Sequence, residues 1–381
     1  ASIPSDATDS DAHNKTNYAI VNVVNSLLKS ANDIDINATS KVDYISPNAS
    51  RLFDSAIGNL IQAAIEGTSF EFEGARAKAE VNIGSNAELI AGNDVSLNSN
   101  AVANTIFKAS SKYAPMIETT EELYYALGSK TVSKVEVADG AKISSKGDVK
   151  LNAQSTNSNS IKIKNPTSTI GSKVGASTGL PSIQLVVLAN QTEADTKATV
   201  NSGAIIEAKN VEVDAVNYST SSAVIESIAN IDAAKNTGVA VAVNINNSNI
   251  NTEAKIDGTI NTNNKGTVSV NAQNLHMNTN LAKTEVTTDP PKTLLTTLKL
   301  NGILDKITAK FSSLLDFGGN SLIDTSGLPK ASIAATINDS NISTNATIGK
   351  NALIHADNVN VNANTIDLTV NNALASVKAN T

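Results

Sequence analysis

The chain has no cysteine and no tryptophan, and only 3% of its 381 residues are aromatic. The absence of cysteine at this length rules out a disulfide framework and suits bacterial export, where thiols are a liability in an oxidising compartment. No apolar run is long enough to span a bilayer as a helix. Basic clusters are missing and the net charge is -7, which argues against nucleic acid as a partner. Arginine occurs only as Arg51 and Arg76. The scarcity of arginine and of aromatic platforms also speaks against a sugar-cleaving enzyme, which needs paired carboxylates or an assisted basic residue in a groove.

What is present is a phrase of two apolar residues two apart, closed by Asn or Asp and, in five of the six copies, Ala. It reads Asp33-Ile34-Asp35-Ile36-Asn37-Ala38, Asp94-Val95-Ser96-Leu97-Asn98-Ser99 and Asp148-Val149-Lys150-Leu151-Asn152-Ala153. It returns as Asn210-Val211-Glu212-Val213-Asp214-Ala215, Thr267-Val268-Ser269-Val270-Asn271-Ala272 and Asn358-Val359-Asn360-Val361-Asn362-Ala363. Counted from the first apolar residue, the gaps are 61, 54, 62, 57 and 91 residues. A near-constant period of this size marks a repeat architecture. Two further phrases precede it at similar distances: Val135-Glu136-Val137 with Gly140-Ala141 and Ile143, and Val239-Ala240-Val241-Ala242-Val243-Asn244 with their counterparts. Short apolar/polar alternation punctuated by Gly, Asn and Asp is the pattern of strands and turns.

The reading is an all-β solenoid, a right-handed parallel β-helix, the hand following from the bias of parallel crossovers. The 57-residue gap is taken as the bare unit, expected to hold three coils of about 19 residues each. That implies some 14 or 15 coils and a rod approaching roughly 70 Å. Inward positions are expected to be mostly Ala, Val, Ile and Ser, and Asn, roughly one residue in eight, is expected to stack at corners. Residues 1–381 read as one continuous segment of a longer rod, with residues 1–15 as a frayed edge.

Four stretches switch to a helical period. Amphipathic helices are expected over about residues 17–31, 50–66, 119–128 and 293–316. The first places Ile20, Val23, Val24, Leu27 and Leu28 on one face; the third opens on Thr119-Thr120-Glu121-Glu122, a capping-box pattern, and closes at Gly128. The fourth follows Pro290-Pro291 and accounts for the long 91-residue gap as an insertion at a solenoid corner. Its stripe of Leu300, Ile303, Leu304, Ile307, Phe311, Leu314 and Leu315 is the candidate interaction or docking surface. Lys299, Lys306 and Lys310 are too few for a strongly basic membrane face, so docking on the solenoid flank is favoured over membrane contact.

No catalytic, cofactor-binding or metal-binding constellation stands out. His13, His276 and His355 lie far apart, and His276 and His355 are expected to face solvent or a corner. The pairs Asp139-Gly140 and Asp257-Gly258 read as ordinary turns, since the calcium-binding nonapeptide is missing. A flat strand face of Ser, Thr, Asn and Lys is the alternative binding surface.

The cadence from Val135 to Ala153 and the run Val239 to Asn244 resemble the repeats of large bacterial filamentous-haemagglutinin-like exoproteins, and within these the leukotoxin-type filamentous adhesins of fusobacteria. The resemblance covers about residues 30–381 outside the expected helices. It implies a secreted or surface-displayed virulence rod exported with an outer-membrane partner, non-catalytic, and engaging a host cell-surface receptor. A membrane-acting cytotoxin segment and a carbohydrate-active β-helix enzyme are the competing readings.

Overall fold

The computed structural model describes residues 14–46, 73–110, 120–165, 182–231, 238–263, 265–288 and 330–379. These residues form three parallel sheets of six strands each. Sheet A contains β1 (Asn14–Val23), β4 (Glu73–Ile83), β7 (Thr120–Val137), β10 (Ser182–Val200), β13 (Gly238–Ile256) and β16 (Lys330–Ile348). Sheet B contains the short strands β2 (Leu27–Ser30), β5 (Glu88–Ala91), β8 (Lys142–Ser145), β11 (Ile205–Glu207), β14 (Thr259–Asn261) and β17 (Leu353–His355). Sheet C contains β3 (Ile34–Ser46), β6 (Val95–Ser110), β9 (Asp148–Asn165), β12 (Asn210–Ile231), β15 (Thr267–Thr288) and β18 (Asn358–Ala379). Each coil therefore runs long strand, short strand, long strand, and the chain is a parallel β-helix of six described coils.

The sequence period is one coil. Val211 pairs with Val268 and Val268 with Val359, so gaps of 57 and 91 residues alike connect adjacent coils. The expectation of three coils per repeat is corrected: the three phrases are the three strands of a single turn. At the usual spacing of about 4.8 Å the six coils rise roughly 24 Å, not 70 Å. Apart from residue 264, every internal stretch outside the description joins sheet C of one coil to sheet A of the next. The insertion behind the 91-residue gap lies at that corner.

Two expected helices are strands. Residues 17–31 form most of β1 and all of β2, with Ala19, Val21 and Val23 packed on the core. Within β1 the i, i+3 pattern is carried by Ile20 and Val23, β-branched residues that serve a pleated surface equally well, and in-register pairing with β4 decides between the two forms. Residues 120–128 belong to β7, with Leu127 fully buried and Gly128 in the strand rather than at a helix end. Gly128 faces Gly74, where φ is +152° and an added Cβ would lie 1.9 Å from the Gly128 carbonyl oxygen. The expected helices over residues 50–66 and 293–316 lie outside the described residues.

Where the three sheets enclose a triangle, the interior is a stack of like residues. Leu97, Leu151, Val213 and Val270 form one in-register column; Leu89, Ile143, Ile206 and Ile260 form another. Burying each such side chain contributes about 1.5–3 kcal/mol. The leading Asp or Asn of the six-fold phrase holds coil to coil at the entry to sheet C. Asp33 Oδ1 accepts from Asp94 N at 3.1 Å, Asp94 Oδ1 from Asp148 N at 2.7 Å, and Asn210 Oδ1 from Thr267 N at 2.9 Å.

The closing Asn or Asp of the phrase forms a ladder on the outer face of sheet C, through Asn37, Asn98, Asn152, Asp214, Asn271 and Asn362. Asn98 donates to Asn37 at 2.9 Å, Asn271 to Asp214 at 2.8 Å and Asn362 to Asn271 at 3.0 Å. Burial, reinforced by the neighbouring Glu212, pushes the Asp214 carboxyl up to about 6. The folded state therefore holds a proton that the unfolded chain has released, and stability falls as pH rises from about 4 to 6. Asp214→Asn completes the amide ladder without that charge. Two pKa units correspond to about 3 kcal/mol, and partial exposure reduces the expected gain at pH 7 to about 1–2 kcal/mol. The gain should be full above pH 6 and vanish near pH 4 in denaturant titrations at the two pH values.

Candidate functional site

Beyond the triangle, sheets A and C continue past sheet B and face each other directly. Strand phase is set in the triangle: Val268, Val270 and Ala272 point inward, so Asn274, His276, Asn278 and Asn280 must point inward as well. Leu275, Met277 and Leu281 therefore point outward. The same inversion occurs on β12, with Asn217, Ser219 and Ser221 buried inside and Tyr218 outside. On β13 of sheet A, Asn244, Asn246 and Ser248 are buried on the inner face. The long strands thus bury a polar seam, which separates the triangular core from a second apolar cluster around Phe107, Leu127, Ile161, Leu188 and Ile225.

Two features follow from the inversion. The first is an exposed apolar patch on the outer face of sheet C. In-register pairing aligns Tyr218, Leu275 and Ile366 in one column, Thr220, Met277 and Leu368 in the next, and Ser222, Thr279 and Val370 in the third. Tyr218 and Met277, on strands paired on both sides, are 41% and 43% exposed, and Ile366, Leu368 and Val370 continue their columns on β18, on a surface where Thr156, Ser158 and Ser160 fill the same columns one coil earlier. The outer positions of sheet A at Val187, Val241, Val243 and Ile245 are buried, so it is sheet C that presents the open apolar face. Contiguous exposed apolar surface of this kind marks interaction sites.

The second feature is the seam itself. Asn190 donates to Asn246 at 2.7 Å and Asn246 to Asn338 at 2.9 Å, along sheet A. Asn159 and Asn278 reach across from sheet C to Asn190 (3.1 Å) and Asn338 (2.6 Å). Ser248 Oγ lies 3.0 Å from His276 Nε2, and His276 Nδ1 lies 2.8 Å from Asp367 Oδ1. This is the bonding order of nucleophile, base and orienting carboxylate. Ser248 and His276, however, have no exposed surface, so a substrate has no route to the hydroxyl. With Nδ1–H donating to Asp367, Nε2 accepts from Ser248, and the buried serine and imidazole are satisfied through a carboxylate that is itself partly exposed.

Of the candidates read from the sequence, Leu300, Ile303, Leu304, Ile307, Phe311, Leu314 and Leu315 all lie outside the described residues, as does His13. His276 is fully buried, correcting the expectation of a solvent-facing or corner position; His355 is exposed at the end of β17. The expected stacking of Asn at a corner occurs at Asn25 and Asn86, both with positive φ, where Asn86 donates to Asn25 at 3.3 Å. The longer Asn columns lie elsewhere, on the outer face of sheet C and within the seam. Among the described residues no group of acidic and histidine side chains is placed to hold a metal ion, and no helix is long and apolar enough to cross a membrane. Comparison with protein-family models, curated proteins and solved structures finds no match to this chain. Reading alternation alone misses the patch and the seam. Their signal is the phase reversal within Val268–Leu281, where apolar residues change from even to odd numbers without an intervening turn.

Proposed function

We propose that this chain is a structural and binding segment of a large secreted bacterial exoprotein of the leukotoxin or adhesin type, non-catalytic, that engages host cells through the side of the rod. The observation that supports it most is the apolar patch of Tyr218, Met277, Ile366, Leu368 and Val370 on the outer face of sheet C. A parallel sheet with a regular spacing of about 4.8 Å is a rigid platform, and apolar columns on it give contact area with little ordering cost. The burial of Ser248 and His276 supports the non-catalytic reading, because the hydroxyl and imidazole of the triad-like arrangement have no exposed surface.

The test is attachment of the purified chain to leukocytes and epithelial cells. Tyr218→Ser/Met277→Asn/Leu368→Asn is expected to weaken attachment at least about tenfold, since each apolar anchor contributes about 1–2 kcal/mol, while circular dichroism stays unchanged. Deletion of residues 293–316 is the companion variant. Loss of attachment only on that deletion would move the surface to the Leu300–Leu315 stripe, and absence of attachment by the intact chain would make the segment a spacer. Liposome flotation of the intact chain separates cell-receptor binding from direct lipid binding.

A further inference from the structure

We propose that the polar seam between sheets A and C is a binding site for a file of internal water molecules. Five buried side-chain carbonyl oxygens in the seam, those of Asn157, Asn159, Asn244, Asn278 and Asn280, have no hydrogen-bond partner among the described residues, and neither has the Ser155 hydroxyl. Each unpaired buried polar atom leaves its desolvation uncompensated, so five together are incompatible with a stable dry interior.

Rotating the amides does not remove the deficit, because their nitrogens are committed. Asn157 Nδ2 donates to Thr131 Oγ1 at 2.8 Å and to the Glu193 carbonyl at 3.0 Å. Asn159 Nδ2 donates to the Gln191 carbonyl at 3.1 Å and to Thr192 Oγ1 at 3.0 Å. Asn278 Nδ2 donates to Asn338 Oδ1, Asn280 Nδ2 to Asn371 Oδ1 at 2.9 Å, and Asn244 Nδ2 to the Ala223 carbonyl at 3.2 Å. Exchanging oxygen and nitrogen would set carbonyl against carbonyl at most of these contacts.

The seam is short mainly of donors, with the Asn274 side-chain nitrogen a single unpaired amide donor beside them, so its filler must be small, uncharged and able both to donate and to accept. A cation would need compensating charge, and the seam's carboxylate, Asp367, is already bonded to His276. Water supplies two donors per molecule, accepts from a hydroxyl such as Ser155 Oγ, and needs two to four polar partners, which the facing amides and hydroxyls provide. The orphan oxygens recur on β9, β13 and β15, in coils three and five, so the waters lie in register with the coils.

The experiment is water ¹⁷O relaxation dispersion on the full chain, with water-to-amide Overhauser effects at the Asn side chains. Long-lived internal water is expected, with Overhauser contacts to the side-chain amides of Asn159 and Asn278. Asn159→Leu and Asn278→Leu should each lower the dispersion amplitude by about one water, and Asn98→Leu on the outer ladder should leave it unchanged. Absence of seam Overhauser contacts in the unaltered chain would overturn the proposal without any variant. An amplitude unchanged in both seam variants that remain folded would overturn it as well.

Discussion

Asn190→Ala is expected to destabilise the rod by about 3–4 kcal/mol, more than a polar-to-alanine change on any outer face. Asn190 is fully buried and joins three partners: it accepts from Asn159 at 3.1 Å and donates to Ser221 at 2.5 Å and to Asn246 at 2.7 Å. Truncation leaves the Ser221 and Asn246 oxygens short of a donor and opens a cavity between rigid sheets that cannot collapse, since both are clamped above and below by paired strands. The same column carries Leu127 one coil earlier, so the backbone there accepts an apolar side chain. Asn190→Leu/Asn246→Leu should accordingly cost clearly less than the sum of the two single changes, because the donor and its acceptor leave together. Guanidinium unfolding of the four proteins measures this. Equal and additive losses would mean that the seam stabilises by packing volume rather than by hydrogen-bond satisfaction.

Residue pattern reaches into some parts of this fold and not into others. The triangular core was legible, because Val211, Val213 and Ala215 alternate with Glu212 and Asp214 in the ordinary sense, apolar inward and polar outward. The stacking of like on like was legible too, since the phrase recurs at nearly constant distance. The coil count was not. Three apolar phrases per period can be three short turns or three sides of one long turn, and only the pairing of Val211 with Val268 separates them.

The helix expected over residues 17–31 failed for a related reason. Val21 and Val23 satisfy a strand as well as Val23, Val24 and Leu27 satisfy a helix, and a neighbouring strand with unpaired backbone groups outweighs local spacing. The patch and the seam were hidden most deeply. Alternation assigns Leu275 and Met277 to the interior, yet the strand continues unbroken from Val268, and the pleat carries the phase set there outward to both. Polar interior and apolar exterior are thus two sides of one constraint: a strand that keeps its phase through a change of residue pattern.

The ladder, the seam and the patch all depend on one coil per repeat, and a cysteine pair tests this directly in a chain that has no cysteine of its own. Thr220 and Met277 are exposed, outward-facing and paired in register on β12 and β15. Adjacent parallel strands bring their Cα atoms to about 4.8 Å, within the range a disulfide bridges. Three coils per repeat would separate the two positions by roughly 14 Å, beyond any disulfide. Thr220→Cys/Met277→Cys is expected to close an intramolecular disulfide under mild oxidation. Closing a loop of 57 residues should raise stability by up to about 4 kcal/mol, less any strain in the bridge. A cross-linked monomer that unfolds at higher denaturant than its reduced form is the result this structure requires. Two free thiols in the folded, oxidised protein would contradict that register.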